Sequence, residues 1–212
     1  MRFVVVFLAA LTLATKAPAE GEPAGIFDYY VLALSWSPNW CAREGDRRAS
    51  EQCARKSGFG WILHGLWPQY EAGWPSYCRG TERNPSRAMT RAMADISGTD
   101  GLAWHAWNKH GRCSGLSAED FFALSRQAFE SVTRPKVFRQ LREPVTLSAS
   151  VVEAAFLEDN PDLEADGITV TCAAGQIAEV RICFDRNLDP RTCGRDVRRD
   201  CTLSDAAFAP LR

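Results

Sequence analysis

The chain holds only three histidines, and all of them fall in two short tryptophan-rich segments: His64 in WILHGLWPQ, and His105 and His110 in WHAWNKHGRC. Imidazole titrates near pH 6.5, so one ring can accept a proton while another donates one. Lys109, between the second pair, can neutralise charge that builds on a phosphoryl oxygen. This set suits acid–base cleavage of RNA, which brings its own nucleophile in the 2′-hydroxyl and so requires no serine, metal or cofactor. Trp61, Trp67, Trp74, Trp104 and Trp107 are five of the seven tryptophans. Such flat rings serve as base-stacking surfaces or as core.

The residues must be positioned by the elements that carry them. At about 100° per residue, a helix through the second segment places His105, Lys109 and His110 on an arc of roughly 140°, with Trp104 and Trp107 turned to the other side, where a core would lie. An amphipathic helix with a wet polar face would show the same pattern. That reading does not account for the remaining histidine, which stands in a strand-like segment, stopped by Pro68, that can face this helix. A zinc hydrolase is a rival, but the i, i+5 spacing of His105 and His110 differs from the i, i+4 pair of a metalloprotease helix. A disulfide-stabilised binding protein with structural His and Trp is a second rival.

Composition sets the frame. The chain is 46% hydrophobic and 24% charged, the profile of a globular protein, and its formal charge of −1 gives no global field for nucleic acid. Any RNA contact must therefore be local. Arg2, the apolar run Phe3 to Ala14 and Ala17-Pro18-Ala19 read as a signal peptide over residues 1–19, ahead of a domain at 20–212. Its removal takes away Arg2 and Lys16 and no acid. The apolar run is too short to span a bilayer, which needs about 20 residues. Eight cysteines, none in paired C-x-x-C spacing, favour disulfides and hence a secreted or periplasmic location. About a hundred pairings are open to eight cysteines, and spacing does not choose among them.

Strands are expected over Ile26 to Trp36 and Phe59 to Trp67, and as a hairpin over Gly167 to Cys172 and Gln176 to Phe184. Helices are expected from Asn84 as N-cap with Pro85 at the first helical position, from Ser117 and Asp120, and from Ser150 to Glu158. Interleaving without a regular strand–helix period or repeat indicates one α+β domain with a mainly antiparallel sheet and several packed helices.

HGLWPQ and H-x-W-x-K-H-G-x-C resemble the two active-site segments of the ribonuclease T2 family. YYVLALSWSPNWC, EAAFLEDNP and GITVTC extend the resemblance over most of the chain. It implies a secreted, metal-independent endoribonuclease, a monomer acting on single-stranded RNA and leaving 2′,3′-cyclic phosphate ends. His110 is then the general base, His64 the acid, His105 a phosphate-holding group and Lys109 the stabiliser of the pentacovalent state, with Trp67 and Trp74 at the base pocket. It further implies Cys78 with Cys113, Cys172 with Cys201 and Cys183 with Cys193, which leaves Cys41 with Cys53. One departure stands out: the family's usual glutamate between the histidine and tryptophan is Ala106, which lies i, i+4 from His110. Reduced activity is expected, the alternative being an inactive member that binds RNA or a protein partner.

Overall fold

Strand β1 (Tyr29–Trp36) has large apolar side chains on both faces and is almost wholly buried, so it needs partners on both edges and cover on both faces. In the computed structural model, which describes residues 21–212, it pairs antiparallel with β2 (Trp61–Gln69) on one side and with β5 (Gln176–Phe184) on the other. Strand β4 (Ile168–Ala173) pairs antiparallel with β5 through a turn at Ala174 and Gly175, both at positive φ, as a two-residue hairpin connection requires. Short strands β3 (Val145–Leu147) and β6 (Ala206–Phe208) pair with each other, and β6 touches β5 at Gln176 and Ala207. The signal segment expected over residues 1–19 lies outside the described residues.

Among the described residues six α-helices accompany the sheet: α1 (Ser37–Trp40), α2 (Arg87–Ala92), α3 (Ala94–Ser97), α4 (Asp100–Lys109), α5 (Ala118–Ser131) and α6 (Ala149–Asp159). The alternation of β1 sends Leu32, Leu34 and Trp36 into the main core with Trp107, Phe121, Phe156 and Phe208. Trp36 stacks on Phe208 at 4.5 Å, a kind of pair that adds about 0.5–1.5 kcal/mol beyond buried area. The opposite face of β1 carries Tyr29 and Val31 into a smaller cluster with Cys183, Cys193 and Val197, against which Trp67 packs. The result is α+β with a mainly antiparallel sheet, stapled by Cys41–Cys53, Cys78–Cys113, Cys172–Cys201 and Cys183–Cys193. No helix among the described residues is long and apolar enough to cross a membrane.

Three local expectations need correction. Pro68 does not stop β2, which runs on to Gln69: β2 is the edge of the sheet, so the proline's missing N–H removes no ladder bond. The helix expected to be capped by Asn84 and to start at Pro85 begins instead at Arg87, because the Ser86 hydroxyl accepts from the Met89 N–H and acts as the cap. Trp104 does not point into the core but is 42% exposed. The buried stripe of α4 is centred on Ala103, Ala106 and Trp107, and Trp104 lies off its edge.

Candidate active site

His64 owes its aim to a β-bulge. Ala33 pairs with Gly65 and Leu34 with Leu63, so His64 is the extra residue between them. In unbroken register it would face the core beside Leu34. The bulge gives that place to Leu63 and turns His64 toward the opposite face, a known use of bulges beside reactive sites. Gly65 is part of the device: a Cβ there would come within 2.4 Å of Trp67 Nε1, so only glycine lets the indole lie back over the strand.

Helix α4 brings the other histidines. Thr99 caps its start by accepting from the Leu102 N–H at 3.1 Å. Lys109 ends it, where a cation suits the helix dipole. His110 leaves helical geometry with φ −122 but still donates its backbone N–H to Ala106 O at 2.9 Å. Gly111 must be glycine for the chain to turn under Phe121, whose ring would lie 2.7 Å from any Cβ. The Cys78–Cys113 bridge then ties the end of the helix to the segment that follows β2.

These elements meet around a cavity of about 290 Å³ lined by His64, His105, Ala106, Lys109 and His110, with Trp67, Gln69 and Trp74 along one wall. All the catalytic and base-pocket candidates read from the sequence thus face one space. Trp67 is the hub: it stacks on His110 at 5.1 Å and 25°, meets His64 edge-on at 5.3 Å, and has the Arg181 guanidinium 5.3 Å over its ring. Trp74 is 53% exposed and offers an open ring face. Its loop is held by the Gly73 N–H donating to Asp196 Oδ2 at 2.6 Å. Among the described residues no group of three or more His, Cys, Asp or Glu is arranged to hold a metal ion.

Two side chains in the cavity wall went unread in the sequence. His64 Nδ1 bonds to Glu179 Oε1, and Glu179 Oε2 accepts from Arg181 Nη2 at 2.7 Å and Nε at 3.0 Å. Both come from β5, where residues 179 and 181 share the site face while Val180 and Ile182 enter the core. Burial opposes the charge of Glu179, yet its bonds to His64 and Arg181 hold the carboxyl down at about 2. It is therefore ionised and fixes the His64 tautomer with the proton on Nδ1, which leaves Nε2 for exchange.

His110 has the opposite surroundings. Burial pushes it down to about 3, with the charges of Lys109, His64 and His105 adding to the effect. Its Nδ1 is buried without a hydrogen-bond partner. The residue one helical turn back is Ala106, where no polar group is available. His105 is lowered by partial burial and then by Lys109 and His64. One ring is thus kept neutral by its setting while the other is bonded to a carboxylate. Two imidazoles in such unlike surroundings can take different proton-transfer roles.

Residues 27–193 match the family model described as Ribonuclease T2 family. A ribonuclease from Aeromonas hydrophila is 37% identical, covering 94% of this chain and 92% of its own. A probable ribonuclease from Haemophilus influenzae is 32% identical, covering 78% of this chain and 61% of its own. Among solved structures, an RNase-related protein from Calystegia sepium superposes with a TM-score of 0.65 at 20% identity, covering 86% of this chain and 97% of its own.

Proposed function

Because the chain belongs to the ribonuclease T2 family and is a T2-type endoribonuclease, we propose that it cleaves single-stranded RNA by metal-free transphosphorylation, with His110 as base and His64 as acid. His110, neutral in its buried setting, takes the proton of the 2′-hydroxyl. The 2′-oxygen attacks the adjacent phosphorus, the O2′–P bond forms as the P–O5′ bond breaks, and the departing 5′-oxygen receives its proton from His64. His105 and Lys109 line the space between and balance charge on the non-bridging oxygens. The products are a 2′,3′-cyclic phosphate and a free 5′-hydroxyl. The base 5′ to the cut sits by Trp67 and Trp74.

The observation that carries this reading is the contrast between the two rings: His110 is buried and unpartnered at Nδ1, whereas His64 is bonded to an ionised carboxylate. The empty position at Ala106 makes the enzyme slower than one with a carboxylate there. Four disulfides and the leader-like first 19 residues support a secreted or periplasmic location.

A dinucleotide with sulfur in place of the bridging 5′-oxygen tests the roles. A thiolate leaves without needing a proton, so His64→Ala is expected to cleave this substrate nearly as well as the parent while His110→Ala stays inactive. Recovery by His110→Ala instead would reverse the assignment, and binding without cleavage by the parent would make the chain an inactive RNA-binding member.

A further inference from the structure

Trp104 stands directly before His105 on α4 and is 42% exposed, although it is among the largest apolar side chains of the protein. It lines a shallow groove with Arg87, Arg91 and Asp100. Arg87 and Arg91 are exposed and stand i, i+4 on α2, a like-charged pairing that costs a helix some stability. Neither makes an ion pair among the described residues. One carboxylate against two guanidiniums leaves the groove positive.

This groove connects with the active site. His64 and His105 line both the central cavity and a second groove, which extends to Thr99 and Gly101, and Gly101 also borders the groove of Trp104. A Cβ at Gly101 would meet only Thr99 Oγ1, at 3.9 Å, so the surface there is an open saddle with no side chain across it. A flat ring beside unpaired cations, reached over an unobstructed path, has the makings of a single-strand site: a base stacks and its flanking phosphates are neutralised.

We propose that Trp104, Arg87 and Arg91 form a distal subsite for single-stranded RNA on the 3′ side of the cut, with a base on the indole and phosphates on the two arginines. The polarity rests on the roles given to His110 and His64. The nucleotide bearing the 2′-hydroxyl occupies the cavity with His110 and Trp67, so the leaving strand departs past His64 and His105 toward Gly101.

The test uses strands with a single ribonucleotide in otherwise deoxy sequence, which confines the cut: a dinucleotide, and the same unit extended by about four nucleotides on either the 3′ or the 5′ side. In the parent, the 3′ extension is expected to raise kcat/KM roughly tenfold, the scale of one base–aromatic stack, and the 5′ extension to do far less. The ratio of 3′-extended to dinucleotide kcat/KM should fall toward one in Trp104→Ala and be largely kept in Trp104→Phe. Gly101→Leu should also collapse it by obstructing the saddle, while leucine favours the helix better than glycine does. Arg87→Ala and Arg91→Ala should each lower the salt dependence on the 3′-extended strand by about one phosphate contact. No gain from 3′ extension in the parent, or a gain that survives Trp104→Ala, overturns the proposal. Fluorescence titration with all-deoxy strands reads the same site without cleavage, so loss of binding in Trp104→Ala supports the subsite even if the ribonuclease reading fails.

Discussion

Replacing Glu179 tests how His64, the proposed acid, is held. In the parent, one carboxylate oxygen accepts from His64 Nδ1 and the other is locked by two bonds from Arg181, so the ring has a fixed tautomer and a fixed pose. The His64 side chain is 35% exposed, which leaves it free to turn once the anchor is gone. A hydrogen bond to a charged group contributes about 1.5–3 kcal/mol, and at about 1.4 kcal/mol per decade its loss from the productive pose lowers kcat/KM roughly 10- to 100-fold in Glu179→Ala. Glu179→Gln keeps an oxygen able to accept from Nδ1 and should lose about tenfold or less, since geometry survives and only charge is lost. Steady-state kinetics on a ribodinucleotide give the rates, and imidazole nitrogen NMR shifts give the tautomer: Nδ1–H in the parent and Glu179→Gln, mixed in Glu179→Ala. Equal kcat/KM for parent and Glu179→Ala, or an unchanged tautomer in that variant, would refute a positioning role.

Other expectations follow from the same wall of the cavity. Ala106→Glu places a carboxylate one turn before His110, beside a ring nitrogen that has no partner, and should raise kcat/KM by roughly 10²-fold; equal rates would remove the case for Ala106 as the weak point. If His110 is the base, as proposed, it must be neutral to act, so the acid limb of log kcat/KM should lie near pH 3 in the parent, given His110 at about 3, and should move upward in Ala106→Glu; a limb near 6.5 in the parent contradicts the buried setting of His110. The same depression links to stability. His110 takes up a proton less readily when folded than when unfolded, so its contribution is intact above pH 6.5 and is lost as pH falls toward 3. Glu179, held at about 2 against an ordinary 4.5, adds a further loss between those values. Thermal melts from pH 7 to 3 should show a steady fall in Tm, and a His110→Gln variant should lack the part above pH 4.5.

That the histidine segments converge on one cavity was legible because their patterns are local: HGLWP and H-x-W-x-K-H each place their candidate groups within a few residues, and β2 and α4 then only have to face each other. The β4–β5 hairpin and α5 were legible for similar reasons, through a two-residue turn ending in glycine and a serine cap. Glu179 was not, because its meaning depends on β5 lying beside β1, a pairing between residues far apart in sequence. Its one local signal is that Glu179 and Arg181 place two charges on the same face of a strand whose other face is Val180 and Ile182. Trp104 was misread because an ideal helical wheel does not say where the buried stripe is centred; Ala103 and Trp107 decide that by packing against α5 and β2. The Pro68 error has the same origin, since a proline that would break an inner strand is harmless on an edge that only the assembled sheet defines.

The central claim is that the paired histidines perform a metal-free transphosphorylation. Phosphorus NMR of a ribodinucleotide digested in the presence of excess EDTA tests it most directly. A 2′,3′-cyclic phosphate resonance should grow in at the same rate as without chelator. Cleavage abolished by EDTA, or products with no cyclic phosphate at any time, would contradict it.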